Sequence, residues 1–468
     1  MKSKYKVFCG ILKLICIKWK GNIHMKRKGL YFTRALVLLL VLVIPLSLAS
    51  CFSYGDLLDH YGITTGAPES GGEPSGTDGA SGAETTAGDS DPSDETREPG
   101  DQIQNNVTIQ TNGTGDAKYA AAAGLRSAVS VYATFTTTGF WGNESTGTSA
   151  GSGVIYKLDA ETGSAFIITN YHVVYNNAAN TSNGISNDIK VFLYGMEGSV
   201  YAIPATYVGG SMNYDIAVLH VKNDRTLKDA AQRGAAAQIK LADSDLVAVG
   251  QTAIAIGNPE SAGISVTTGI VSVDSEHITM TASDGRSQVS FRVIRIDTAV
   301  NSGNSGGGLF NANGELIGIV NAKVTSSDVE NIGYAIPSNV ARGIADNIID
   351  YCFGKECKTV MRGLLGITVE TSALNTSYDA ETGLLHKYEQ VRVVEVTTGG
   401  LGEKILKSGD IISAIRIGDK TVEITRQYHL IDAMLDVRVG DTVSLTILRD
   451  GKTETVSTTI TEDCLAAY

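Results

Sequence analysis

Three residues that could together carry acyl-transfer chemistry lie in separate, strand-like contexts. His172 lies in AFIITNYHVV, Asp215 in NYDIAVLHV and Ser305 in NSGNSGGGLF. A serine hydroxyl is a poor nucleophile near neutral pH, so an imidazole must accept its proton and a buried carboxylate must orient that imidazole. The sequence therefore predicts His172 as general base, Asp215 as its orienting carboxylate and Ser305 as nucleophile.

The glycines around Ser305 predict a second part of the same site. Glycine allows the sharp backbone turn that exposes a hydroxyl and directs successive amides toward one point. We expect the amides of Gly303 and Ser305 to form an oxyanion hole. The order His172, Asp215, Ser305 is the one used by chymotrypsin-type double barrels, whereas subtilisin and the α/β-hydrolases use other orders.

The elements that must position these residues are short strands. From about Lys118 onward, β-type runs such as SGVIYKL, IKVFLY and RVIRID alternate with glycine and asparagine turns. Regular short strands of this kind favour barrels over βαβ units. We predict a mainly β protein with two small barrels, His172 and Asp215 in the first and Ser305 in the second.

Longer motifs in the same region resemble a known family. TNYHVV, YDIAVLHV, VTTGIVS, DTAVNSGNSGGGLFNANGELIGI and NIGYAIP resemble the HtrA/Deg trypsin-like serine proteases. The resemblance implies a chymotrypsin-like double β-barrel over residues 118–345 that needs no cofactor and assembles as a homotrimer. It also implies a specificity pocket for a small aliphatic side chain, with walls from Asn321, Ala322, Gly333 and Tyr334.

A second pattern begins after a connector at residues 346–358. Strands and two short helices over residues 359–468 look like the α+β PDZ domain that follows the protease in HtrA proteins. Its carboxylate-binding loop would comprise Gly363, Leu364, Leu365, Gly366 and Ile367, and would capture the C-termini of peptides. An insert between Thr371 and Lys387 is expected to form a helix. An ordinary α+β domain with a glycine turn is the alternative.

The N-terminal residues indicate export. An apolar run at residues 35–49 follows a basic segment and ends in Leu48-Ala49-Ser50-Cys51, which resembles a bacterial lipobox. Residues 1–50 are therefore predicted to be a signal peptide, with translation expected to start at Met25. Cleavage would leave a lipid on Cys51, although an uncleaved signal anchor is the alternative.

The segment that follows Cys51 is predicted to be a spacer. Residues 51–117 include an acidic Gly/Ser/Thr/Pro-rich stretch that cannot bury enough apolar surface to fold. We therefore expect a protein anchored by lipid at the extracytoplasmic face of the cell membrane.

Composition excludes other classes of function. The 468 residues carry 38 Lys+Arg and 50 Asp+Glu, and this acidic balance argues against nucleic-acid binding, which needs clustered bases. Six cysteines are too few for a disulfide framework, and no metal site is expected. The sequence leaves open whether Cys352, Cys357 and Cys464 pair.

Together these features predict a membrane-tethered serine endopeptidase that degrades unfolded or damaged proteins and recognises C-termini through its PDZ domain. The alternative is a non-catalytic, surface-tethered binding protein of chaperone type on a protease scaffold. An esterase with the same triad is a third option, which no residue favours.

Overall fold

The structure is a computed structural model that describes residues 117–139, 141–324 and 332–468. The predicted signal peptide, Cys51 and nearly all of the predicted spacer lie outside the described residues. Within the described ranges, no helix combines the length and apolar character that crossing a membrane requires.

The N-terminal part of the described chain forms two closed antiparallel barrels. The first barrel has the strand order β1-β2-β3-β6-β5-β4 and the second β10-β11-β12-β9-β8-β7. The strands of the first barrel are β1 (Ala128–Thr138), β2 (Glu144–Asp159), β3 (Ser164–Thr169), β4 (Asp188–Leu193), β5 (Ile203–Ser211) and β6 (Ile216–Val221). Those of the second are β7 (Thr252–Gly257), β8 (Ser265–Thr281), β9 (Gln288–Ile296), β10 (Gly308–Phe310), β11 (Leu316–Val320) and β12 (Gly333–Pro337). The prediction of a mainly β double barrel is confirmed.

Among the described residues, four helices accompany the barrels. They are α1 (Ala117–Leu125), α2 (Tyr171–Val174), α3 (Arg225–Gln232) and α4 (Ser338–Cys352). Helix α4 buries Val340, Ile344 and Ile348 at helical spacing. Its last residue, Cys352, is also buried. The protease-domain boundary predicted at residue 345 therefore falls inside one continuous helix.

The C-terminal domain has its own core and a sheet of order β14-β15-β16-β18-β19, with β17 on β16. A separate pair joins β13 to β20. The elements are β13 (Met361–Gly363), β14 (Ile367–Asp379), β15 (Leu384–Val396), β16 (Ile411–Ile417), β17 (Lys420–Glu423), α5 (Gln427–Ala433), β18 (Thr442–Arg449), β19 (Lys452–Thr459) and β20 (Leu465–Ala467). The prediction of strands with short helices holds, although the first expected helix is a 3₁₀ turn at Leu401–Lys404.

The prediction of a helical insert between Thr371 and Lys387 is wrong. This segment belongs to the long β14–β15 hairpin, in which Thr371 pairs with Val391 and Asp379 with Leu384. Cross-strand pairing along a ribbon satisfies every second backbone group, and the β-branched residues of the segment favour it over a helix.

Charged groups join the C-terminal domain to the second barrel. Arg292 on β9 is 3% exposed and contacts Asp432 of α5 at 2.5 Å and Asp245 at 2.8 Å. Its guanidinium also lies 3.5 Å from the ring centroid of Tyr428. Burial and the neighbouring Asp245 carboxylate both disfavour ionisation of Asp432. Their combined effect exceeds the attraction of Arg292, so the pKa of Asp432 is raised to about 6.

Candidate active site

The structure places the three predicted catalytic residues at element ends of both barrels. His172 lies on the single-turn helix α2 directly after β3, and the buried Val173 and Val174 anchor that turn. Asp215 directly precedes β6 with a left-handed φ of 53°. Ser305 lies in the turn before β10 of the second barrel. The first barrel therefore supplies a base and a carboxylate, and the second supplies a hydroxyl.

The imidazole of His172 is held by two contacts with Asp215. Its Nδ1 lies 2.6 Å from Oδ2 of Asp215, and its backbone amide donates to Oδ1 at 3.0 Å. Asp215 is only 2% exposed, so solvent does not compete for these oxygens. An ionised Asp215 can only accept, so Nδ1 then carries the ring proton and Nε2 is free to act as a base.

Asn321 adds a contact that the sequence did not predict. Its amide Nδ2 donates to the same Oδ2 of Asp215 at 2.9 Å, and its side chain is fully buried. The sequence analysis assigned this residue to a pocket wall, whereas its side chain lies against the carboxylate. A polar residue directly after the apolar strand LIGIV resembles the setting of His172, and that likeness was the available signal.

The turn that carries Ser305 is fixed against the first barrel. The amide of Ser152 on β2 donates to the Ser305 carbonyl at 2.8 Å, and its hydroxyl donates to the Gly303 carbonyl at 2.7 Å. Gly306 has a φ of 85°, and a Cβ there would lie 2.2 Å from the Ser152 carbonyl oxygen. Ser152 thus links the two barrels at the site, and sequence reasoning missed it because no local motif marked it.

The predicted oxyanion donors have their amides available. Within the described residues, the backbone amides of Gly303 and Ser305 donate no hydrogen bond, whereas that of Asn304 donates to Asn301 at 3.0 Å. Gly303 has a φ of 96°, a conformation that glycine adopts without strain. Two uncommitted donors beside a nucleophile are what stabilisation of an oxyanion requires.

The Ser305 hydroxyl is engaged by a neighbouring amide. Its Oγ accepts from the Ala322 amide at 3.2 Å, and among the described residues no hydrogen bond joins it to His172. An N–H donor occupies only a lone pair, so the hydroxyl proton remains available for transfer to His172. Such contacts often tighten only when substrate binds.

The four predicted pocket residues lie on β12 and on the segment that follows β11. The Asn321 amide donates to the Tyr334 carbonyl at 2.9 Å, and Gly333 precedes Tyr334 on β12. Ala322 follows Asn321, and its amide donates to Oγ of Ser305. A hydrogen bond therefore joins these two segments, and both the pocket and its preference for small aliphatic side chains stay predictions.

A cleft of about 640 Å³ opens next to His172. Phe135, Tyr175 and Lys323 contribute to its walls, together with the edge of β2 at residues 145–149. Partial burial lowers the pKa of Lys323, and the Asp215 carboxylate opposes that effect. The cleft therefore lies against the imidazole that the sequence predicts to be the base.

The predicted carboxylate loop of the C-terminal domain divides into two parts. Gly363 ends β13 opposite Leu465, and the Leu364 amide donates to the Cys464 carbonyl at 3.1 Å. The amides of Leu365 and Gly366 donate no hydrogen bond within the described residues. Two open donors therefore precede Ile367, the first residue of β14.

Strand β14 is an edge strand, and helix α5 lies beside it. Gln427 at the start of α5 donates from Nε2 to the Val369 carbonyl on β14 at 3.4 Å. A peptide that extends the sheet along β14 would displace this side chain.

Comparisons with known proteins agree with this geometry. A family model of the trypsin-like peptidase domain matches residues 151–319, and a model of the PDZ domain matches residues 363–460. Both matches fall on the domains described above.

Relatives from several bacteria match about two thirds of this chain. The serine protease Do-like HtrA of Bacillus subtilis is 37% identical over 319 residues, which are 66% of this chain and 63% of that protein. The protein of the same name from Lactococcus lactis subsp. cremoris is 35% identical, over 66% of this chain and 70% of that protein. The periplasmic serine endoprotease DegP of Salmonella typhimurium is 34% identical, over 66% of this chain and 56% of that protein.

Proposed function

This chain belongs to the HtrA family of serine proteases, and from that premise we propose that it is an endopeptidase that cleaves unfolded polypeptides through an acyl-enzyme on Ser305. The observation that carries the proposal is the 2.6 Å contact of His172 with the buried Asp215. It leaves Nε2 as the free nitrogen at the cleft. No metal or organic cofactor enters the proposed chemistry.

In the proposed reaction, the same groups act first in acylation and then in deacylation. His172 Nε2 takes the Ser305 proton as Oγ attacks the peptide carbonyl, and Asp215 stabilises the imidazolium. The amides of Gly303 and Ser305 hold the oxyanion. His172 then gives the proton to the leaving amine, and water repeats the sequence to release the acyl group.

We propose that the PDZ domain recruits substrates by their C-termini. The open amides of Leu365 and Gly366 support this role, because a carboxylate needs such donors and a peptide can extend the sheet along β14. A fluorescent peptide with a free apolar C-terminus should bind the full chain, and the same peptide with an amidated C-terminus should bind at least tenfold more weakly. Equal affinity for both would contradict recognition of the carboxylate.

We also propose that the enzyme is extracytoplasmic, tethered by lipid and trimeric. The signal-like N-terminus and the periplasmic DegP relatives support an extracytoplasmic enzyme, and Cys51 would carry the lipid that tethers it. The family resemblance also implies a homotrimer. A Cys51→Ser variant should lose incorporation of labelled fatty acid and leave the membrane fraction.

The nucleophile can be tested directly in the full chain. A fluorophosphonate probe should label Ser305, and the protein should digest unfolded casein. Ser305→Ala should abolish labelling and digestion, because the attacking oxygen is removed. Ser302→Ala is the matched control in the same turn and should keep both. Absence of labelling, with or without an apolar C-terminal peptide, would refute a serine protease mechanism.

A further inference from the structure

Two thiols meet at the segment that leads from the second barrel to the C-terminal domain. Cys352 is the last residue of α4 and is fully buried, and Cys357 is half-buried five positions later. Both Sγ atoms donate to one acceptor, the Thr359 carbonyl oxygen, at 3.3 Å each. The sulfurs are therefore at most twice that distance apart.

From this shared acceptor we propose that Cys352 and Cys357 form a redox-active dithiol that closes to a disulfide and clamps the connector between the two domains. Formation requires the sulfurs to close from this contact to a bond of about 2 Å. The turn between them contains Gly354 with a φ of 72°, where a Cβ would meet no atom. That turn has room to adjust as the bond forms.

The connector around the dithiol is held on both sides. The Gly210 amide of the first barrel donates to the Lys358 carbonyl at 3.0 Å, and the Tyr207 hydroxyl donates to the same carbonyl at 3.3 Å. Thr359 donates from Oγ1 to the carbonyl of Tyr468 at 3.1 Å, after β20. A disulfide here would join the end of α4 covalently to a segment that contacts both domains.

The third described cysteine lies in a different environment. Cys464 packs with the core of the C-terminal domain, whereas Cys352 and Cys357 pack with the barrel core. The Cys464 sulfur lies 2.9 Å from Oγ1 of Thr461. A metal is a poor explanation for the pair, because no group of three potential ligands occurs among the described residues.

The proposed oxidation is a thiol–disulfide exchange with a small-molecule disulfide such as oxidised glutathione. The Cys357 thiolate attacks one glutathione sulfur and displaces the first glutathione thiolate. Cys352 then attacks the Cys357 sulfur and displaces the second. Two protein thiols are oxidised, one external disulfide is reduced, and the released thiolates take up the two protons.

Exposure sets the order of these steps. Burial, and next the hydrogen bond with the Cys357 thiol, raise the pKa of Cys352. Cys352 is therefore a poor first nucleophile, and the more accessible Cys357 meets the oxidant. We expect the oxidation rate to rise with pH.

A peptide map of the folded full chain tests the proposal. Trypsin cleaves after Lys355 between the two cysteines, so the proposed disulfide would link peptide 343–355 to peptide 356–358. The linked pair should form after incubation with oxidised glutathione and disappear on reduction. The oxidised protein should melt a few degrees higher, because the closed loop restricts the unfolded chain.

Matched variants distinguish the proposed Cys352–Cys357 disulfide from other pairings of the cysteines. Cys357→Ser should lose the linked pair, and Cys464→Ser should keep it with the same yield. Cys357 is preferred to Cys352 for substitution because it is less buried, and circular dichroism would show that the variant folds. A link from either peptide to 453–468, or both thiols still alkylated after oxidation, would overturn the proposal. So would a link that forms only in the unfolded chain.

Discussion

Replacing Asn321 by alanine removes a donor from the Asp215 carboxylate while leaving the three proposed catalytic residues unchanged. Asp215 keeps its contacts with the His172 amide and ring, so the loss is the single 2.9 Å bond from Nδ2 of Asn321. A hydrogen bond to a charged group contributes about 1.5–3 kcal/mol. If that free energy is lost from the transition state, kcat/KM falls by about ten- to a hundredfold.

A second substitution at the same position separates the charge of the side chain from its volume. Asn321→Asp should lose more activity than Asn321→Ala, because it places a second carboxylate against Asp215.

The assay is cleavage of a fluorogenic unfolded substrate together with the rate of fluorophosphonate labelling. Asn347→Ala is a matched control, since Asn347 is also fully buried and makes two hydrogen bonds with the Met361 backbone, away from Asp215. That control should lower the melting temperature and leave kcat/KM unchanged. Activity of Asn321→Ala within twofold of the parent, or an equal loss in Asn347→Ala, would refute the reasoning.

Three further predictions concern the turn and the contact between the domains. Gly306→Ala should abolish fluorophosphonate labelling, because its Cβ would lie 2.2 Å from the Ser152 carbonyl oxygen at a left-handed φ. Arg292→Met should lower the free energy of unfolding by about 3–5 kcal/mol in a denaturant titration, since it leaves two carboxylates without their partner. The effect of Asp432→Asn on stability should depend on pH. Burial raises the pKa of the Asp432 carboxyl to about 6. The stability that this carboxyl contributes is therefore present at low pH and is lost as pH rises through 6. The melting temperature of Asp432→Asn relative to the parent should therefore be higher at pH 8 than at pH 5, and an unchanged difference would contradict this assignment.

Much of the fold was predictable from local pattern. Short alternating strands with glycine turns indicated two barrels, because the period of two and the turn residues are properties of neighbouring positions. The settings of His172, Asp215 and Ser305 were visible for the same reason, as each lies at the end of an apolar run or in a glycine-rich turn.

The β14–β15 hairpin shows where local pattern failed. Its segment carries alanine and leucine that suit a helix as well as a strand, and cross-strand pairing within the hairpin decided the outcome. The connector predicted at residues 346–358 begins inside α4, because burial against the barrels continues the helix to Cys352.

The sequence by itself determined which groups could react, since residue type and flanking strands identify a base, a carboxylate and a nucleophile. Only the tertiary structure decided which side chains hold those groups in place. Asn321 reaches Asp215 across 106 positions, and Ser152 reaches Gly303 across 151. Both contacts exist only after the barrels close and meet, because hydrogen bonds between side chains so distant in sequence depend on the path of the whole chain rather than on any local spacing.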